Sequence, residues 1–404
     1  MANTYAYRVR DKAGKVHAGE LEADSTTLVA NKLRQLGYVP IAIDKKDSSV
    51  AKKELHIFKP KAKMKDLAVF SRQFAVMINS GLSLLRALSI LETQTENKAL
   101  AEVLKEVRSD VEKGSSLSQA LGRHPKTFNR LYVAMVRAGE TGGVLDSVLL
   151  QLADTIEKQV ELRRKIKSAM TYPTAVLALV ILIVTAMLLF IVPTFKGIYA
   201  DLGGTLPIPT RILLAVSAGL KKFFPIVVVV IMALVWGFKR WIETEKGRGA
   251  WDIAKLKIPV FGGLVHKVSL TRFARTLASL MRSGVPILES LEITSETVGN
   301  TVMAKVVKDV QEGVKQGEPI AKRLADHQII PPMVTQMLAV GEETGAVDTM
   351  LDKVGEFYEQ EVEATVDALT SLLEPLLIVV LGAAVGAMVV SLYMPMFNII
   401  KLIK

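Results

Sequence analysis

Two stretches of this chain repeat each other, and each leads through a helical pattern into a long uncharged apolar span. Ala138-Gly139-Glu140-Thr141-Gly142-Gly143-Val144-Leu145-Asp146 returns as Val340-Gly341-Glu342-Glu343-Thr344-Gly345-Ala346-Val347-Asp348. An internal repeat constrains the architecture more than any local propensity does. Phe70 and Arg72 recur as Phe273 and Arg275, 203 residues on, and Gly81, Leu85, Leu88 and Gly114 recur as Gly284, Leu288, Leu291 and Gly317. After the motif the offset is 202, where Asp146 matches Asp348, Pro173 matches Pro375 and Pro193 matches Pro395. One slip of a single residue, with glycines and prolines in step, marks a duplication.

The repeated unit carries its own apolar span. Ala169–Val192 and Pro375–Phe397 contain no charge and are long enough to cross a hydrocarbon core of roughly 30 Å at about 1.5 Å per residue. A third uncharged stretch, Phe223–Phe238, is shorter and has no counterpart in the repeat; Lys221 and Lys222 can snorkel at its end. It restores the parallel orientation of the copies, so that both lie on one side of the membrane. Met1–Arg10 has no apolar run, which predicts no cleavable signal peptide.

The formal net charge is +11, and the cations cluster at membrane flanks and in one linker. That placement follows the positive-inside rule and points away from nucleic acid. Lys158, Arg163, Arg164, Lys165 and Lys167 precede the first span, and Lys239, Arg240, Lys246, Arg248, Lys255 and Lys257 follow the second. Both copies and the N-terminus are therefore expected in the cytoplasm.

The fold class expected is a mainly α membrane protein: two duplicated cytoplasmic helical bundles, three transmembrane helices and a small N-terminal α+β module. Residues 1–44 form the module, with strand patterns at Tyr5–Val9, Val16–Leu21 and Val39–Ile43. A helix over Thr27–Leu36 is capped by Asp24 or Ser25 and ended by Gly37, and Pro40 places the third strand at an edge. Residues 45–65 are a lysine-rich linker, 66–168 the first bundle, 169–192 the first span and 193–222 an outward loop. Residues 223–238 are the second span, 239–371 the second bundle, 372–397 the third span and 398–404 an outward tail. Asp66 is read as the cap of the first bundle helix.

The repeated motif reads as a corner between helices. Gly139 and Gly341 are expected to take positive φ at a helix end, and Thr141 and Thr344 to cap the next helix, beside Gly142 and Gly345. Asp146 and Asp348 favour the positive end of the following helix dipole. Glu140 and Glu343 have no such structural duty. Their ordinary reading is a solvated turn glutamate, and the sharper one is contact to a partner or to a basic neighbour such as Arg72 or Arg275. Pro173 and Pro375 stand where the long helices enter the bilayer. Gly382 and Gly386 make a GxxxG pattern that permits close helix–helix approach.

Chemistry is sparse. There are no cysteines, no GxxxxGK[ST] phosphate loop, no HExxH and no GxSxG. The five histidines are scattered, and His124 and His327 are partners in the duplication. Asp352 and Glu356 could share a cation, but their first-copy counterparts are Leu150 and Asp154. The spans hold no ionisable group, which argues against an ion-coupled transporter or an intramembrane aspartic protease. No catalytic residue, cofactor or metal is expected.

The paired segments Phe70–Phe195 and Phe273–Phe397, the two corners, Tyr172-Pro173 and Glu374-Pro375-Leu376-Leu377 resemble the type II secretion system F family over nearly the whole chain. Glu374–Pro395 and Leu206-Pro207-Ile208-Pro209-Thr210 are more similar to its type IV pilus branch. The resemblance implies a non-enzymatic platform protein of the bacterial inner membrane. It implies partners: a cytoplasmic hexameric ATPase, pilin or pseudopilin subunits, other inner-membrane assembly proteins and further copies of the chain. Some relatives bind calcium in the first bundle; Leu150 stands at a ligand position here, so that site is not carried over. The alternatives are a secretion-system platform acting on pseudopilins and, from another class, a small-substrate membrane transporter.

Overall fold

The computed structural model describes residues 3–10, 16–45, 62–194, 207–259 and 261–402. Residues 11–15, most of the basic linker, much of the first half of the stretch expected as an outward loop and the chain's last two residues lie outside them. The chain divides into two compact units, Met1–Pro60 and Lys61–Lys404.

The first unit is a three-stranded antiparallel sheet with one helix. β1 (Asn3–Arg10) is central, flanked by β2 (Val16–Ala23) and β3 (Val39–Lys45), with α1 (Thr26–Gln35) between them in sequence. Tyr5 and Val9 alternate inward and pack on Val29 and Leu33 of α1. Ser25 caps α1 by accepting from Leu28 N at 3.3 Å, and Gly37 follows it at φ 83°. Pro40 lies on an edge strand, where its missing N–H costs least.

The second unit shows the duplication as two copies of six helices. In the first copy these are α2 (Met64–Asn79), α3 (Leu84–Gln94), α4 (Lys98–Glu112), α5 (Leu117–Gly122), α6 (Arg130–Gly142) and α7 (Leu145–Ala186). α8 (Ile208–Ile242) and α9 (Glu245–Lys257) lie between the copies. The second copy comprises α10 (Phe261–Arg282), α11 (Ile287–Thr297), α12 (Thr301–Lys315), α13 (Ile320–Ala325), α14 (Pro332–Thr344) and α15 (Val347–Leu402). Asp66 is in the first turn of α2 rather than at its cap; its carboxylate accepts from Lys63 N at 3.2 Å. Asn97 and Asn300 cap α4 and α12 in matching positions.

Each copy has its own core. Phe70, Phe74, Phe128 and Tyr132 stack through the first, with ring centroids 4.9–6.0 Å apart. The buried Tyr132 hydroxyl accepts from Ser71 Oγ at 3.2 Å. The second is built around Phe273, Leu277, Leu291, Val310 and Leu338. Leu280, Val285 and Ile293 of the second copy reach into the first core, so the bundles are packed together.

The long helices run unbroken from bundle into span. α7 has 42 residues and continues through a π-helical turn at Met187–Ile191, and α15 has 56 residues. Among the described residues, three helices are long and apolar enough to cross a membrane. α8 begins at Ile208 and runs 35 residues, so it contains the stretch 223–238 expected as the second span together with the later part of the stretch 193–222 expected as a loop. Pro225 lies inside this helix, and Lys221 and Lys222 stand about one turn before it. A helix in lipid tolerates proline because neighbouring groups satisfy the freed carbonyl, and it tolerates lysine by snorkelling.

Hydroxyls tie the three spans together. Ser217 of α8 donates to Leu188 O at 2.5 Å, taking a carbonyl from the π-helical turn, and Thr210 of α8 donates to Ser391 O of α15. At the bundle end, Leu162 and Ile166 of α7 pack with Val362, Val366 and Leu369 of α15.

Candidate functional site

The two corners differ from their sequence reading in register. The left-handed residues are Gly143 (φ 68°) and Gly345 (φ 73°), each closing its helix. Gly139 and Gly341 lie a turn earlier, inside α6 and α14, and are buried. A Cβ on Gly139 would stand 3.0 Å from Val148 Cβ, and one on Gly341 only 2.9 Å from the Val347 backbone. These glycines let the short helix lie against the start of the long one.

Thr141 and Thr344 do not cap the following helix. Thr141 Oγ1 donates to Arg137 O at 2.9 Å and Thr344 Oγ1 to Val340 O at 2.7 Å, back into their own helices. The first turns of α7 and α15 carry Asp146 and Asp348.

The offset changes before the motif, in the turn between α5 and α6. His124 and His327 are still 203 apart, while the caps Asn129 and Pro331 are 202 apart. The partner of Glu140 is therefore Glu342, not Glu343. The Glu140 carboxylate accepts from Leu117 N at 2.6 Å and Ser118 N at 3.0 Å, the first two amides of α5. Glu342 accepts from Ile320 N at 2.5 Å and Ala321 N at 3.0 Å, the first two of α13. A carboxylate there satisfies two orphan donors and meets the positive helix end. Glu140 thus has the structural duty that sequence reasoning denied it; the signal was the short S-L-S-Q helix 22 to 23 residues earlier, which needs an acceptor.

Glu140→Ala and Glu342→Ala are each expected to cost about 1–2 kcal/mol. The second should cost more, because Pro319 caps α13 without a side-chain bond while Ser116 still accepts from Gln119 N in α5. Glu343→Ala, at an exposed position, should change thermal unfolding by less than about 0.5 kcal/mol.

Neither Arg72 nor Arg275 reaches the corner. Arg72 Nε donates to Glu157 Oε1 at 2.8 Å, and its Nη2 bonds Asp154. Arg275 bonds Asp352 and donates to Glu359 Oε2 at 2.9 Å. Each arginine thus staples the first helix of its copy to the long helix, at acids about one to three turns past its start. Glu157 is held below its usual range by the hydrogen bond and charge of Arg72. Burial pushes Asp352 up, but Arg275 and Arg282 outweigh it and the net shift is down. Asp309 is lowered by His327 and Arg323, which tie α12 to the end of α13.

Asp352 thus faces arginines, and Glu356 pairs with Lys353 at 3.0 Å. Among the described residues no group of three or more histidines and carboxylates is placed to hold a metal.

These lowered carboxylates set the sign of the acid response. Unfolded, they bind protons near pH 4; folded, they bind them at lower pH. The stability they contribute is complete above about pH 4 and is lost as pH falls through the folded values. Thermal unfolding should vary little from pH 7 to about 5 and fall steeply below 4. A main transition near pH 6 would assign acid sensitivity to histidine instead.

Pro173 is buried within α7, and Thr171 and Thr174 bond carbonyls on either side, to Lys167 O and Met170 O. Pro375 likewise lies inside α15. Gly382 and Gly386 have open space where a side chain would be.

The second corner borders a shallow apolar groove of about 550 Å³, lined by Ala321, Ala325, Ala339, Glu342 and Glu343 among others. A larger cavity of about 860 Å³ lies between the bundles, with α7 and α10 as facing walls.

Comparison with known proteins matches the family model described as type II secretion system protein F twice, at residues 70–193 and 273–395. That family's N-terminal domain matches residues 1–44. The chain is 45% identical to a type IV pilus assembly protein PilC of Thermus thermophilus, over 98% of each chain. It is 39% identical to the PilC of Myxococcus xanthus, over 98% of this chain and 94% of that one. It is 32% identical to a type II secretion system protein F of Pseudomonas aeruginosa, over 99% of each.

Proposed function

This chain belongs to the type II secretion system protein F family, and on that premise we propose that it is the inner-membrane platform of a type IV pilus assembly machine. The carrying observation is a pair of packed bundles whose final helices run without a break into the membrane, 42 and 56 residues long. A rigid element of that length can pass a displacement from bundle to bilayer. The pilus branch is favoured over the secretion branch by higher identity, 45% and 39% against 32%.

In this reading both bundles and the N-terminus are cytoplasmic, as the cation bias at the spans supports. The bundles receive a hexameric ATPase, and the spans meet pilin and other inner-membrane assembly proteins. The role is non-enzymatic: the protein transmits work and carries out no bond chemistry of its own. Glu343, exposed at the second corner beside the apolar groove, is our candidate for partner contact. The bare Gly382–Gly386 face is our candidate for contact between copies. The uncharged stretches Ala169–Val192, Phe223–Phe238 and Pro375–Phe397 offer a transporter no polar midplane site.

Deletion of the gene should abolish surface fibres while pilin stays at normal abundance in the membrane. Fibres at wild-type numbers in the deletion strain would refute the platform role.

A further inference from the structure

The cavity between the bundles carries a charge surplus that the assembly role leaves unused. It follows one face of α7 from Gln151 to Met170, where that helix enters its apolar span. At about 1.5 Å per residue that wall is about 28 Å long.

The acids on the lining are already engaged. Asp154 bonds Arg72, Asp352 bonds Arg275 and Arg282, Glu359 bonds Arg275, and Glu296 bonds Arg130. Four cations on the same lining, Lys158, Arg163, Lys167 and Arg272, have no ion-pair partner among the described residues. Desolvation and the nearby Arg163 charge both push the Arg272 guanidinium below its ordinary value. Arg272 is also held in place. Gly299, at φ 81°, leaves the room its Nη1 occupies, and a Cβ there would collide with it.

The duplication provides an internal comparison. The counterparts of Lys158, Arg163, Lys167 and Arg272 are Gln360, Thr365, Leu369 and Val69, all uncharged. Lys165 and Lys267, nearby on α7 and α10, are neutralised by Glu363 and Glu361. The cavity therefore carries unpaired cations that the duplicate positions lack.

We propose that this cavity binds the phosphate headgroup of an anionic phospholipid, with Arg163 and Arg272 as its principal ligands and Lys158 and Lys167 as flanking charges. Guanidinium forks match phosphate oxygens, and an anion between two like charges replaces repulsion with attraction. Ile166 and Met170 line the end where α7 reaches its span, so a lipid can keep its acyl chains in the bilayer. That continuity favours a lipid over an acidic peptide or a free anion. The site stands apart from the platform role and does not depend on it.

The test uses the full chain in nanodiscs of phosphatidylcholine with or without phosphatidylglycerol. Thermal unfolding is measured, and phosphatidylglycerol retention is read by native mass spectrometry. Wild type should retain phosphatidylglycerol over phosphatidylcholine and unfold several degrees higher with it. Arg163→Gln/Arg272→Gln should lose both effects, yet unfold in pure phosphatidylcholine no lower than wild type, because the repulsion is gone. Arg163→Gln alone, at an exposed position, should weaken both and serves if the double variant does not fold. Lys221→Gln/Lys222→Gln, on α8 away from the cavity lining, should behave as wild type. Equal retention of the two lipids by wild type, or a phosphatidylglycerol effect that survives the double substitution, overturns the proposal. So does full stabilisation in phosphatidylcholine by inorganic phosphate, or by a polyglutamate peptide, without phosphatidylglycerol.

Discussion

Gly341→Val is expected to destabilise the second bundle by about 3 kcal/mol or more, read as a lowered thermal transition of the full chain in detergent. The reason is contact, not backbone strain. Gly341 is helical, and a β-carbon added to it would stand 2.9 Å from Val347 Cα and 3.1 Å from the Met350 side chain. The backbone of α15 cannot swing away without opening the corner, and valine adds two further methyl groups. Gly139→Val should act in the same direction, somewhat less, because its nearest neighbour is the Val148 side chain at 3.0 Å and the Leu145 backbone is at 3.2 Å. Gly345→Ala separates the two mechanisms. That residue has φ 73° and open space around it, so alanine there should cost only about 1 kcal/mol of left-handed strain. Equal losses at 341 and 345 would contradict the packing explanation.

Arg275→Gln is expected to cost about 2–3 kcal/mol, and Arg72→Gln clearly less. Arg275 is only 15% exposed and bonds two acids of α15, of which Glu359 is 19% exposed. Glutamine would leave the poorly solvated Glu359 without its cation and Asp352 with Arg282 alone. Arg72, at 35% exposure, faces acids that water already reaches, so screening blunts its loss. A double-mutant cycle of Arg275→Gln with Glu359→Gln should show a favourable coupling between the two residues, with the double variant less damaged than the sum of the singles. Strict additivity would mean that the pair does not hold the helices together.

Much of the architecture was legible in the order of glycines, prolines and apolar runs. Gly81 and Gly284, and Gly114 and Gly317, take positive φ in both copies and stay in step because no other residue takes that conformation without cost. The corner was harder. Matching the letters Glu-Thr-Gly aligned Glu140 with Glu343, whereas hydrogen-bond register aligns it with Glu342, since only Glu342 can reach the amides of α13. A one-residue slip in a turn leaves almost no trace in composition, but on a helix it rotates a side chain by about 100°. The arginine staples were invisible for another reason: Arg72 and Glu157 are distant in sequence and meet only through packing. Glu359, the partner of Glu157, follows it at the 202 offset, a clue that gains meaning only once the helices are placed.

The central claim is that α15 transmits displacement from the second bundle to its span. A flexible Gly-Ser insert between Thr370 and Ser371, at the bundle end of the span, breaks that helix while leaving both bundles and all three spans present. The variant, produced at wild-type level and still co-purifying with the ATPase proposed as its partner, should make no surface fibres by electron microscopy. Wild-type fibre numbers from that variant would contradict mechanical coupling through α15.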